Sequence, residues 1–378
     1  MNNNIAVDFE EVRPYNDDEV PAAIERISAN IYFPNVVKYL FLDADIRVFT
    51  EKFRKIKTVE EFQWEIMDKA IHAIVSLTSD GLSHSGFEAL SNEKNYMYIS
   101  NHRDILLDSA ILQILLHEYD LETSEITFGN NLMSSPFVID IGKINKMFRI
   151  VRGGTLREIF NNSMEVSRYM RYAITQKHQS TWIAQRNGRA KDGHDATEIA
   201  VLKMFAMSSQ SPFVPNLMEL NITPIAISYE YEPCDFLKTR ELYISRQKTY
   251  VKDDGEDLVS ILHGINQKKG KIHLAICPPI TKEELEYCDS FSHNDKFKHL
   301  AELIDKKVYS NYKLWKTNYI AYDLLNHTDK YQSTYSLEEK EAFRVYMNHG
   351  LRDIEGDISE LETIFLQIYA YSVRNKDV

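Results

Sequence analysis

The chain has few of the residues that hold small secreted or metal-dependent domains together. Three cysteines occur in 378 residues, Cys234, Cys277 and Cys288, and no two are spaced as a CxxC pair. An odd, unpaired set suits a reducing compartment and gives no basis for structural zinc. Long apolar runs are missing too. Ile105-Leu106-Leu107 and Ile114-Leu115-Leu116 are broken by polar residues within a few positions, far short of the roughly 18 that a membrane span needs. The amino terminus, MNNNIAVDFEEV, lacks the basic start and apolar stretch of a secretion signal, so a cytoplasmic protein is expected. Positive charge is in deficit: 44 Lys and Arg face 56 Asp and Glu, a net charge of −12. That balance argues against a nucleic-acid binder. It also argues against simple electrostatic docking on anionic lipid, unless a local basic patch overrides the average.

What is present is core material. Apolar residues make up 44% and charged residues 26%, enough for a packed interior without a disorder signature. The chain length fits one large domain with extensions, or two domains. Residues up to about 90 read as helical. Thr58-Val59-Glu60-Glu61 has the pattern of a capping box, and Phe62, Ile66, Ala70, Ile74 and Leu77 follow at helical spacing. The turn-rich Thr78-Ser79-Asp80-Gly81 closes that region. From about residue 96, short β-rich runs alternate with helical patterns. The strands are 97–100, 125–128, 147–151, 181–184, 222–231 and 271–277, and a capping box at Thr155–Glu158 opens one of the helices between them. This alternation predicts an α/β fold: a central, largely parallel β-sheet flanked by helices, with helical extensions at both ends. The expected division is a helical region over 1–90, the α/β domain over 91–330, and carboxyl-terminal helices over 331–378 packed on the core. Functional residues in such sheets gather in the loops beyond the carboxyl ends of the strands.

Four segments occupy those loops. Ser100-Asn101-His102-Arg103-Asp104 leads from strand to helix, with Asp108 one turn further on. An imidazole titrates near neutrality and can take a proton from an attacking hydroxyl, while a carboxylate on its other nitrogen fixes the tautomer. His102-Arg103-Asp104 also mimics a kinase catalytic loop, but no DFG or glycine-rich loop accompanies it. The second segment sets Lys146, Arg149 and Arg152 around a strand before Gly153-Gly154. The third, Gln185-Arg186-Asn187-Gly188-Arg189-Ala190-Lys191, places three cations in six residues beside glycine. Both suit an anionic ligand. The fourth is the apolar strand Thr223-Pro224-Ile225-Ala226, whose proline is placed to shape a pocket wall.

Taken in order, these segments resemble the four blocks of the glycerolipid acyltransferase superfamily, which acylates glycerol 3-phosphate and 1-acylglycerol 3-phosphate. The resemblance covers roughly residues 96 to 280. Phe128-Gly129-Asn130-Asn131-Leu132-Met133 is similar to a Gly-Asp-Asn-Leu stretch of the glycerol-3-phosphate branch, and Pro278-Pro279-Ile280 resembles the closing segment. The resemblance implies that His102 is the general base and Asp108 its partner. It implies that Arg149 or Arg152, with Arg189, Lys191 and the Asn187-Gly188 turn, holds the acceptor. The acyl donor is then a thioester of acyl carrier protein or coenzyme A, with no metal or other cofactor. The partners are a glycerophosphate or lysolipid acceptor and a membrane surface contacted peripherally, with Leu132, Met133, Pro136 and Phe137 as candidate lipid contacts.

The chain departs from the family pattern twice. Leu107 stands where the first block carries its Asp, so the carboxylate falls one residue later, with Asp104 as the other candidate. Asn187 stands where the third block carries Glu. These departures keep two alternatives open: O-acylation of a lyso-aminolipid or other non-phosphate acceptor, and a non-catalytic lipid-binding relative.

Overall fold

The computed structural model describes residues 9–41, 44–133, 135–151, 153–253, 255–293 and 295–376. Five helices come first: α1 (Val20–Ser28), α2 (Phe33–Leu40), α3 (Ile46–Phe53), α4 (Val59–Phe62) and α5 (Lys69–Thr78). A π-helical stretch, Gln63–Asp68, joins the last two. Its wide turn shifts the phase of the apolar stripe. The face buried beyond it is Ala70, Ile71, Ile74 and Val75, while Leu77, expected on that face, is exposed. The Thr58 hydroxyl accepts from Glu61 N, but the Glu61 carboxylate returns to Lys57 N instead of completing a reciprocal box.

Seven strands form one sheet: β1 (Ser79–Ser85), β2 (Met97–Ser100), β3 (Glu125–Gly129), β4 (Met147–Ile150), β5 (Thr181–Ala184), β6 (Ile222–Tyr229) and β7 (Gly270–Ile276). Their order is β1-β7-β6-β2-β5-β3-β4, and every neighbouring pair is parallel except β6 with β7. The fold is α/β, as expected. The strand β1 lies where a turn was expected. Its Ser- and Gly-rich sequence has little β character, and the strand exists because β7, some 190 residues away, supplies its partner.

The other helices are α6 (Leu107–Glu118), α7 (Pro136–Ile144), α8 (Leu156–Thr175), α9 (Ile199–Ala206), α10 (Phe213–Met218), α11 (Asp235–Gln247), α12 (Glu256–Asn266), α13 (Lys282–Asp289), α14 (Asp295–Asn311), α15 (Lys316–Asn326), α16 (Leu337–Leu351) and α17 (Ile358–Lys376). The capping boxes of α8 and α16 form as the sequence predicts. Alternate strand residues feed two cores. Met97, Ile99 and Ile183 pack with α8, α9 and α14, while Tyr98, Trp182, Ile225 and Ile227 pack with α5 and α6. Covered on both faces, β2, β5 and β6 are buried along their whole length. Among the described residues, no helix is long and apolar enough to cross a membrane.

Candidate active site

The carboxyl ends of β2 and β5 lie side by side, and their loops are stitched together. Gln185 N donates to Ser100 O, and Ala190 N donates to His102 O, both at 2.8 Å. The β2 loop is also tied to β6. The Asn101 amide accepts from Ile227 N at 2.8 Å and donates to Ile227 O at 3.0 Å, taking the place of another strand's backbone. His102 Nδ1 then lies 2.8 Å from Asp108 Oδ2. Asp108 is the second residue of α6 and completely buried. Its Oδ2 also accepts from Arg103 N (2.6 Å) and Asp104 N (3.0 Å), and its Oδ1 takes the Tyr229 hydroxyl at 2.7 Å. Four donors thus fix the carboxylate in its buried place. Burial and the Asp108 charge push the Tyr229 hydroxyl well above its ordinary range, so it stays a donor.

Asp104 has a different task. Its Oδ1 accepts from Leu106 N and Leu107 N and braces the turn that leads into α6. Its Oδ2 lies against Gly264 of α12, where a Cβ would approach within 2.2 Å, and finds no hydrogen-bond partner among the described residues. Burial, with the Asp108 charge behind it, raises the Asp104 pKa. Of the two carboxylates considered for His102, Asp108 is the one in contact.

Arg103, the middle residue of the kinase-like triplet, is a buried anchor. Its guanidinium is 1% exposed and pairs with Asp195 and, at 3.2 Å, with Glu232. It also reaches Gly193 O and the Ser372 hydroxyl of α17. Lys238 of α11 closes the cluster, donating to Glu232 at 2.6 Å and to Arg103 O at 2.8 Å. Burial opposes the Arg103 charge, but Asp195 and Glu232 outweigh it and hold the group protonated. The loop bearing His102 is thereby fastened to elements nearly 270 residues downstream.

His102 opens onto a cavity of about 340 Å³. Its ring meets Trp182 edge-on, with centroids 5.7 Å apart. The β5 loop forms the polar wall: Arg186, Asn187, Gly188, Arg189 and Lys191 all line the space. Arg189 is 9% exposed, and its Nη1 finds no hydrogen-bond partner among the described residues. Lys191 is drawn to Glu241 of α11. Gly188 turns with φ +80°, a conformation that favours glycine. Opposite stands α12, with Asp257 bridged to Asn131 at 2.8 Å.

Arg149 does not reach this cavity. Its guanidinium pairs with Glu11 at 3.2 Å on the outer edge of β4. Arg152 lies outside the described residues. Lys146 sits at the opposite, amino-terminal end of β4 and binds Thr123 O and Gln179. Of the expected lipid contacts, Leu132 lines the cavity and Phe137 packs among the amino-terminal helices. Pro224 is buried in the sheet, paired with Ile99. The sequence counts Arg186 among the cations of its loop but gives no role to Trp182 or Tyr229. A tyrosine in an otherwise apolar buried strand was the available signal for Tyr229, because a buried hydroxyl needs a partner. Among the described residues no cluster of His, Cys, Asp and Glu is arranged to hold a metal ion, and the three cysteines are free and buried.

The backbone is similar to a known acyltransferase structure. The crystal structure of the 1-acyl-sn-glycerophosphate (LPA) acyltransferase PlsC from Thermotoga maritima aligns over 79% of this chain and 96% of that one, with a TM-score of 0.42 and 13% sequence identity. No protein-family model and no curated sequence matches the chain.

Proposed function

We propose that the protein is an O-acyltransferase that moves an acyl chain from a thioester of acyl carrier protein or coenzyme A to the hydroxyl of an anionic acceptor, glycerol 3-phosphate or 1-acylglycerol 3-phosphate. The observation that carries this reading is the His102–Asp108 contact at a cavity whose lining includes Arg189, the Nη1 of which finds no hydrogen-bond partner among the described residues. With Nδ1–H donating to Asp108, Nε2 is the basic nitrogen. It takes the acceptor's O–H proton as that oxygen attacks the thioester carbon. Asp108 stabilises the imidazolium, and the C–S bond then breaks as His102 returns the proton to the leaving sulfur. The acceptor's phosphate pairs with Arg189, because a guanidinium offers the fork that a phosphate matches. Lys191, shared with Glu241, is the weaker contact.

The test is thioester turnover by wild type and His102→Ala, with glycerol 3-phosphate, 1-acylglycerol 3-phosphate and a lyso-aminolipid, each offered with both donors. Removing a general base costs about 10²–10⁴ in rate, and that loss is expected with a phosphate acceptor. Preference for the lyso-aminolipid would make Asn187 the mark of a different acceptor. Absence of acceptor-dependent turnover in wild type, with lipid binding retained, would favour the non-catalytic reading.

A further inference from the structure

A second opening lies away from the cavity and shares no lining residue with it. It is a groove of about 600 Å³ among α2, α3 and the α4–π-helix segment, within the size range of small-molecule sites. Its floor is Phe41, Phe49, Phe53, Ile56 and Ile66. The rings pack on one another, Phe41 on Phe49 at 4.9 Å and Phe49 on Phe53 at 6.2 Å, and Phe41, Phe49 and Ile66 remain partly open to solvent. The rim is mixed with one positive charge in excess: Lys52, Lys55 and Lys69 stand with Glu61 and Glu65. In a chain of net charge −12, residues 46–57 carry Arg47, Lys52, Arg54, Lys55 and Lys57 against one carboxylate, Glu51. At the rim itself Lys69 is neutralised by Glu65 at 2.5 Å, and Glu61 is occupied with Lys57 N. Lys52, in the last turn of α3, and Lys55, in the turn beyond it, both line the groove and make no ion pair among the described residues.

We propose that this groove binds a single-chain anionic amphiphile, a free long-chain carboxylate, with its alkyl chain on the phenylalanine floor and its head between Lys52 and Lys55. Charge complementarity selects the ligand. A neutral chain gains nothing from the two ammonium groups, and a headgroup without a chain leaves the aromatic floor in water. The site is separate from the proposed acyl-transfer centre and does not depend on it.

Titration calorimetry with sodium decanoate on the full chain tests the assignment, with hydrogen exchange locating the protected segment. Decanoate is expected to protect residues 33–57. The exposed pair Lys52→Glu/Lys55→Glu, which should not disturb folding, is expected to weaken that binding about tenfold or more, equivalent to 1.4 kcal/mol per factor of ten. Raising the salt should weaken it in wild type as well. Thioester turnover, where wild type shows it, should change less than about twofold in the pair, and a wild type without turnover would leave the binding difference intact. Equal affinity of wild type and the pair would overturn the proposal. So would decanol binding as tightly as decanoate, protection confined to the cavity loops, or binding to phosphatidylglycerol vesicles without binding to monomeric decanoate.

Discussion

The loops after β4 and β5 are built from the same parts, arginine and glycine, at the same end of one sheet, yet the molecule uses them differently. The β5 loop lies next to the β2 loop because β5 and β2 are adjacent strands, and Ala190 N donates directly to His102 O. At the edge of the sheet, three places from β2, Arg149 of β4 itself faces solvent and Glu11. Strand order, more than local composition, decides which cations meet the histidine. The two loops also differ in how they are held. Around the β5 loop, Gly193 takes φ +82° and presses on Ile368 of α17, and Arg103 reaches across to Gly193 O. The turn at Gly153 has open space where a Cβ would lie.

Substitutions can break or sharpen this contrast. The largest effect on folding is expected at Arg103→Met, which strands Asp195 and Glu232 without their shared partner in the interior. Breaking one side of a buried ionic cluster costs about 3–5 kcal/mol, readable as a lowered denaturation midpoint. A shift below about 1 kcal/mol would mean that the cluster does not fasten the loop.

Next comes Arg189→Gln. Loss of a charged hydrogen bond worth about 1.5–3 kcal/mol predicts a fall of roughly 10- to 100-fold in kcat/KM for a phosphate acceptor, with little change for an uncharged one. Equal losses with both acceptors would remove Arg189 from phosphate recognition.

Gly193→Ala follows. The new Cβ would sit 2.2 Å from Ile368 O at a positive φ, so a stability loss of about 1–3 kcal/mol is expected, whereas Gly153→Ala, with φ strain but open space, should cost less. The smallest effect belongs to Arg149→Ala. Exposed ion pairs contribute about 0–1 kcal/mol, and turnover should stay within about twofold of wild type. A drop matching that of Arg189→Gln would defeat the argument from strand order.

Much of the framework is legible in the sequence because its signals are local. Thr155 with Glu158 and Ser336 with Glu339 cap helices three residues apart, and the β-rich runs from 97 to 276 fall where the strands are. The same locality explains the misses. Nothing around Ser79-Asp80-Gly81 announces a strand, since its hydrogen-bonding partner is β7. The wide turn at Gln63–Asp68 leaves no mark in the apolar spacing until Leu77 emerges on the wrong side. At the site, residue type marked His102 and Arg189. The late position of Asp108 is absorbed in the loop, where Asp104 braces the turn into α6 and the second residue of the helix faces the imidazole.

The sequence by itself determined the alternation of strands and helices, the capped helix starts, and a histidine with a carboxylate six residues on. All of these follow from interactions among residues close in the chain. Tertiary structure alone decided that Tyr229 and Arg103 support that pair, that the β5 loop and not the β4 edge faces it, and that Phe41, Phe49 and Phe53 line a separate groove beneath lysines. The contacts of Tyr229 and Arg103 join residues about 90 to 270 positions apart, and they form because burial leaves that hydroxyl and that charge no water to turn to.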